Sequence, residues 1–213
     1  MRPKILIADD HPLFRAAMHY ALADIVGDNL IEADSYPQTH ARLKSDTEIE
    51  IVFLDINMPG NEGLTGLSEI RACFPDVIVV MVSAEESPDL IRKAIDLGSS
   101  GYIPKSTPLP MLSDAVKKII EGEQWLPDNI SNALSELQDD EQSDFAHRMA
   151  QLTPHQFTVL KLISDGLLNK QIAYHLTISE STVKQHVSAV LRKLNVINRT
   201  QAGIIFKQLM GNK

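Results

Sequence analysis

Ile51-Val52-Phe53-Leu54-Asp55, continued by Ile56-Asn57-Met58-Pro59-Gly60, is the stretch that decides the fold. Four apolar side chains run without a break into one carboxylate, and Pro59 and Gly60 close the segment. Such a run reads as a strand buried on both faces, the kind that belongs in a parallel sheet covered by helices. Asp55 then stands at the strand's carboxyl end, where open α/β sheets place their ligands. The competing reading of Asp55 by itself is a loop cap.

Outward from this strand the pattern repeats. Lys4–Ala8 is a buried run that ends at Asp9 and Asp10, Leu30–Ala33 is a short strand, Val77–Val82 ends at Ser83, and Gly101–Pro104 ends at Lys105. Pro12 fits the first turn of a helix whose inner face carries Phe14, Ala17, Met18, Ala21 and Leu22. Further helices are expected near Pro37–Lys44, over Leu64–Phe74, over Asp89–Leu97 with Gly98 behind it, and over Pro110–Glu121. Cys73, the single cysteine, excludes an internal disulfide and is expected in a helix core. Five strands alternating with five helices give an α/β fold, a doubly wound five-stranded parallel sheet over residues 1–122. Right-handed crossovers bring every strand's carboxyl end to one edge. Three carboxylates, a hydroxyl and an ammonium are therefore expected to converge there, from Asp9, Asp10, Asp55, Ser83 and Lys105. Clustered carboxylates suit a hard cation such as Mg²⁺, with the backbone carbonyl of Asn57 as a further oxygen. An aspartate can also be a nucleophile toward phosphorus, with Lys105 and Ser83 placed to hold phosphoryl oxygens.

The net charge of −8 is unevenly spread. Residues 1–150 hold 12 Lys and Arg against 26 Asp and Glu, a net of −14, whereas residues 151–213 hold 8 against 2, a net of +6. A short basic module behind an acidic one points to a nucleic-acid partner for the tail, the alternative being a merely solvated basic face. Between the two, residues 123–148 read as a linker. Its apolar anchors are Trp125, Leu126, Leu134 and Leu137, a helix is expected near Asn129–Leu137, and an acidic run covers 138–144.

The tail, residues 149–213, opens on a capping box, Thr153-Pro154-His155-Gln156. The first helix ends at Gly166. Asn169 is expected to cap a short helix over Lys170–Leu176, and Ser179 a longer one through Asn195. In that helix Val183, Val187, Val190, Leu191 and Leu194 face inward, opposite Lys184, Gln185, Ser188 and Arg192. A fourth helix covers about Arg199–Met210. Four short helices, two of them joined by a tight turn, make a small all-α helix-turn-helix domain.

Asp9-Asp10, Asp55 with Met58-Pro59-Gly60, Ser83-Ala84, and Tyr102 three residues before Lys105 resemble a response-regulator receiver domain, CheY-like in fold. The resemblance implies that Asp55 accepts phosphate from a histidine kinase with Mg²⁺ as cofactor, that Ser83 then moves toward the phosphoryl group, and that Tyr102 turns inward. The tail resembles the LuxR-type helix-turn-helix of regulators related to NarL and FixJ. Leu152-Thr153-Pro154, Gly166, Asn169-Lys170, Ile172-Ala173, Ser181-Thr182-Val183-Lys184, His186-Val187 and Leu191 to Leu194 carry the match. It departs at His155-Gln156, and Gly203 falls inside the last helix, where glycine costs about 1 kcal/mol relative to alanine. In such a module the helix over residues 181–195 enters the major groove. Lys184, Gln185 and Ser188 are then the base-edge readers, and Thr182, Lys170, Arg192, Lys193 and Arg199 meet phosphates.

The resulting expectation is a phosphorylation-controlled transcriptional regulator, not an enzyme, in the cytoplasm and without a membrane segment. Its partners are a histidine kinase, promoter DNA, a second copy of itself once phosphorylated, and RNA polymerase as a further candidate. A phosphoaspartate phosphatase is a rival, but such enzymes use Asp-x-Asp where this chain has Asp55-Ile56-Asn57. A receiver-only adaptor, the other rival, leaves the basic tail without a role.

Overall fold

A computed structural model of the chain describes residues 2–127, 145, 148, 149 and 151–210. The helix expected near Asn129–Leu137 and the acidic run over 138–144 lie outside the described residues. Strands β1 (Lys4–Ala8), β2 (Leu30–Ala33), β3 (Ile49–Asp55), β4 (Ile78–Ser83) and β5 (Gly101–Pro104) pair in parallel in the order β2-β1-β3-β4-β5. Helices α1 (Pro12–Val26), α2 (Tyr36–Ser45), α3 (Thr65–Cys73), α4 (Pro88–Asp96) and α5 (Leu109–Ile120) connect them. The doubly wound α/β fold is therefore present as read from the sequence.

The unbroken apolar run of β3 has a direct cause. Ile51 and Phe53 pack with Met18 and Leu22 of α1 and with Val116 and Ile119 of α5. Val52 and Leu54 point the other way, into Leu43 of α2, Leu67 and Ile70 of α3, and Ile91 of α4. Helices on both faces leave no solvent side on which polar residues would alternate. The register pairs Ala8 with Leu54 and Asp55 with Val82, so Asp9 and Ser83 continue the chain beside Asp55. Cys73 departs from its expected core position and is exposed. α3 buries Gly66, Leu67 and Ile70, and Phe74 takes the next inward step.

The tail has four helices, α6 (Pro154–Ser164), α7 (Asn169–Leu176), α8 (Glu180–Leu194) and α9 (Arg199–Leu209), around Val159, Leu160, Ile163, Val187, Val190 and Phe206. The capping box forms: the Gln156 N–H donates to Thr153 Oγ1 at 3.3 Å, and the Thr153 N–H to Gln156 Oε1 at 3.1 Å. Ser179 Oγ likewise accepts from the Thr182 N–H. Asn169 does not cap α7. It is the helix's first residue, and Leu168 holds the cap position with its N–H donated to Gln171 Oε1 at 2.7 Å. Leu168 is there for packing: its side chain is buried in the cluster formed by α1, α5 and the sheet. Gly203 is buried where α9 meets α6, and a Cβ there would rest 3.4 Å from the Ser164 Cα, at ordinary contact distance.

The two halves pack directly. Gly166, at φ +82°, lies so near α5 that a Cβ would sit 2.6 Å from the Glu121 carbonyl oxygen. Arg71 donates to the Ile197 carbonyl at 3.0 Å, and Asn198 donates to that of Gly98 at 3.0 Å. Trp125 continues the sheet side, accepting the Tyr102 N–H at 3.0 Å. Truncating Phe53, which is 1% exposed, should therefore be costly. Phe53→Ala is expected to lower stability by about 3–5 kcal/mol, read as a lower urea midpoint from the fluorescence of Trp125. A midpoint equal to wild type would contradict the two-sided burial of β3.

Candidate functional site

The carboxyl edge of the sheet gathers the polar residues expected there. Asp9 and Asp55 are both nearly buried, 1% and 2% exposed. Lys105 Nζ lies between them, 2.9 Å from Asp55 Oδ2 and 2.8 Å from Asp9 Oδ2, and also rests 5.3 Å from the centroid of the Phe14 ring. Asp55 Oδ1 accepts the Asn57 N–H at 3.3 Å, and Asp9 Oδ1 accepts the His11 N–H at 2.8 Å. Burial by itself would lower the Lys105 pKa, but the hydrogen bonds to Asp9 and Asp55 outweigh it and hold the ammonium above the ordinary lysine value. Asp9, Asp10, His11 and Asp55 each offer a ligand atom, all within 4.8 Å of one another. Asp9 Oδ2 and Asp10 Oδ1 are buried oxygens whose neighbours are Lys105 Nζ at 2.8 Å and His11 Nδ1 at 2.7 Å. His11 is the residue that the sequence reading missed, and its only signal there was adjacency to Asp10.

Ser83 is fully buried, and its Oγ accepts the Glu85 N–H at 3.0 Å. Tyr102 is also fully buried, and its hydroxyl donates to the Glu85 carbonyl at 2.6 Å. Burial raises its phenol pKa. The resemblance implied an inward turn of Tyr102 on phosphorylation, and in this structure the ring is inward.

The residues expected to meet DNA divide into two sets. Gln185 and Arg192 of α8 are exposed. Others are engaged by the acidic half at the opposite, amino edge of the sheet. Lys184 Nζ donates to the Thr47 carbonyl at 2.7 Å and pairs with Glu180 at 3.2 Å, Ser188 Oγ donates to Asp76 Oδ1 at 3.4 Å, and Lys170 lies 3.6 Å from Glu48. Lys193 ties α8 to the start of α6 through the Gln151 carbonyl and Gln156 Oε1. Thr182 Oγ1 shares a hydrogen bond with Ser179 Oγ at 2.7 Å. Arg199 departs most from expectation. It is buried, and its guanidinium donates to the Leu167 carbonyl and to Asn169 Oδ1. In this structure it ties α9 to the start of α7. A crevice of about 230 Å³ separates the halves, lined among others by Glu50, Asp76, Glu180, Lys184 and Arg199.

Residues 5–117 match the family model for the response regulator receiver domain, and residues 150–206 match that for bacterial regulatory proteins of the luxR family. The chain is 42% identical over 204 residues to the glycerol metabolism activator of Pseudomonas putida, covering 93% of this chain and 92% of that one. It is 30% identical to the nitrate/nitrite response regulator protein NarP of Escherichia coli, covering 98% and 96%. Among solved structures it superposes on the RcsB response regulator of Salmonella typhimurium with a TM-score of 0.56 at 23% identity, over 92% and 93% of the two chains. A LuxR family DNA-binding response regulator from Silicibacter pomeroyi gives a TM-score of 0.52 at 32% identity, over 59% and 97%.

The charges in the crevice are poorly offset. Burial raises the Glu50 carboxyl above its ordinary range despite Arg199, and burial raises Asp76 despite Lys184 and Arg199. Burial also brings the Arg199 guanidinium down to about 10, with Glu50 and Asp76 opposing it. A raised acid pKa means that the docked form binds a proton more tightly than a form in which water reaches the group. Ionised Glu50 and Asp76 thus oppose docking at neutral pH, and that opposition fades as pH falls through their raised values. Small-angle scattering is expected to show more of the compact form at pH 5 than at pH 7, with a smaller difference in Glu50→Gln. An identical pH response in the variant would remove Glu50 from this account.

Proposed function

The chain belongs to the response regulators that join a receiver domain to a LuxR-type DNA-binding domain, and from that membership we propose how its two halves work together. Residues 1–122 act as receiver, 123–148 as linker and 149–213 as DNA-binding unit, in a cytoplasmic transcriptional regulator. Asp55 is the phosphoacceptor for a histidine kinase. The observation that carries this reading is the burial of Asp55 against Lys105 at the sheet edge.

A carboxylate held out of water and aimed at an ammonium is positioned to attack phosphorus. As the Asp55 O–P bond forms and the phosphorus–nitrogen bond to the kinase histidine breaks, Lys105 would pair with a phosphoryl oxygen, and the Ser83 hydroxyl, which accepts from the Glu85 N–H and keeps its own hydrogen, would donate to another. Asp9, Asp10, Asp55 and the Asn57 carbonyl would hold Mg²⁺, consistent with the carboxylate oxygens gathered within 4.8 Å of one another. The ion's contribution when bound is to offset the charge of the incoming phosphoryl group.

In the docked form the receiver's amino edge occupies Lys184, Ser188 and Lys170 through the Thr47 carbonyl, Asp76 and Glu48, where DNA would otherwise lie. Phosphorylation favours an open form in which receivers pair and two tails reach an inverted repeat in promoter DNA. Two linked modules gain effective concentration that one short reading helix lacks. RNA polymerase is a further candidate partner at such a promoter.

Two experiments test this reading. Asp55→Ala should lose Mg²⁺-dependent labelling by acetyl phosphate while keeping the wild-type fold by circular dichroism; equal labelling would mean another acceptor. In gel shifts with beryllofluoride, Lys184→Ala should weaken specific binding by about 1–3 kcal/mol. Without beryllofluoride, Asp76→Ala, which removes a receiver contact to α8, should bind DNA more tightly than wild type. Unphosphorylated protein that already binds DNA as well as the activated form would refute the coupling.

A further inference from the structure

Two carboxylates line the crevice between the halves without a cation in contact among the described residues. The Glu50 carboxylate meets the backbone N–H groups of Lys170 and Lys4, yet its Oε1 is buried with no hydrogen-bond partner among those residues. Asp76 accepts from Ser188 Oγ at 3.4 Å, and Lys184, Arg199 and Arg71 act on it as more distant charges. The two acids are neighbours. Ile51 of β3 pairs with Ile78 of β4, which sets Glu50 beside Val77, the residue after Asp76.

The cations around the crevice are committed to other groups. Lys184 Nζ serves the Thr47 carbonyl and Glu180, and Lys4 pairs with Asp46 at 2.7 Å. The Arg199 guanidinium donates to the Leu167 carbonyl and to Asn169 Oδ1, not to a carboxylate. The space itself is about 230 Å³ and has an apolar wall of Leu43, Ile49, Phe74, Pro75 and Val77. Pockets for drug-sized ligands begin near about 300 Å³, so an occupant must be small. A hard metal ion suits this lining poorly, because it keeps its waters and wants several oxygens around it. An alkylammonium suits it well: its head has three donors, enough for both carboxylates, and its hydrocarbon part covers the apolar wall.

We propose that the crevice binds a small organic cation, a primary alkylammonium, between Glu50 and Asp76, and that this binding favours the docked form. The proposal rests on the docked arrangement of the halves, since Glu50 and Asp76 come from the receiver while Lys184 and Arg199 close the crevice from the tail. The cation offsets the two carboxylates as protons would, but at neutral pH. A ligand that binds one form alone, present at ten times its Kd, shifts the docked-to-open ratio about elevenfold.

The test uses n-butylamine hydrochloride at constant ionic strength, titrated calorimetrically into the unphosphorylated full-length protein. Wild type should bind one equivalent. Glu50→Gln, which removes the charge and keeps the shape, should weaken binding at least about tenfold, and so should Asp76→Asn, which keeps an acceptor for Ser188. n-Butanol, with the chain and no charge, and ammonium chloride, with the charge and no chain, should each bind at least about tenfold more weakly than the amine. In gel shifts without beryllofluoride, the amine at ten times its Kd should weaken DNA binding of wild type about tenfold and leave Glu50→Gln unchanged. No binding to wild type, equal binding to both variants when circular dichroism shows them folded, or equal binding of ammonium chloride overturns the site. Amine that binds wild type without weakening its DNA binding overturns the link to docking. Unphosphorylated wild type that binds DNA, without amine, as tightly as the activated form overturns the docking reading itself, and the regulation falls with it.

Discussion

The contact on which the receiver half depends is the ammonium of Lys105 set between Asp9 and Asp55. Each carboxylate is almost fully withdrawn from water, and an unpaired buried carboxylate costs several kcal/mol. The sheet makes the burial unavoidable: β1 and β3 are neighbours in parallel register, so their carboxyl ends arrive together. One ammonium serves two carboxylates, and Asp10 adds a third acid nearby. The cluster remains short of positive charge. Stability and reactivity here share one cause, the imbalance of charge in a place that water barely reaches.

The reacting edge and the docking edge are at opposite ends of the same strands. β3 runs from Ile49, beside the loop that holds Lys184, to Asp55. At about 3.3 Å per residue its seven residues separate the two edges by about 20 Å, where one added charge is worth only about 1 kcal/mol even at a low effective dielectric of 20. Direct Coulomb interaction is therefore a weak messenger, and a packed element must move. The stretch from Ser83 through α4 to β5 meets both edges. Tyr102 anchors the loop after Ser83 through the Glu85 carbonyl, and Gly98, between α4 and β5, accepts from Asn198 of the tail. Ser83 Oγ accepts from the Glu85 N–H, in the same loop that Tyr102 holds.

The legible part of this molecule was whatever repeats or ends a pattern. Continuous apolar runs gave β1, β3 and β4, and because each ends at a polar residue, most of the edge cluster could be assembled from topology alone. The helix caps at Thr153 and Ser179 were readable because a capping hydrogen bond is local. Contacts between the halves had no comparable signal. Arg199 looks like a phosphate-facing residue at a helix start, and only the packing of α9 on α7 shows it buried. Leu168 takes the cap position from Asn169 for a burial partner far away in sequence. Glu48, Glu50 and Asp76 are ordinary loop and strand-edge acids until the basic face of α8 is placed over them. His11 was overlooked because one histidine beside two aspartates shows its direction only in three dimensions.

The opposed charges of the two halves, −14 and +6, suggest a strong internal clamp, but the crevice argues otherwise. Glu50, Asp76 and Arg199 all have pKa values displaced toward the neutral form, so for each of them burial outweighs the attraction of its partners. The long-range charges draw the halves together, while the short-range ones resist being dried. The net stabilisation of docking is thus a small difference between larger opposing terms. A switch requires this. One phosphoryl group offers a few new charge-assisted hydrogen bonds, and reversing a two-state population from 1:99 to 99:1 takes about 5.5 kcal/mol. A tail held by well-matched buried ion pairs would lie beyond that reach. One held by mismatched pairs, with the contacts of Lys184 and Ser188 at its solvent-facing rim, lies within it.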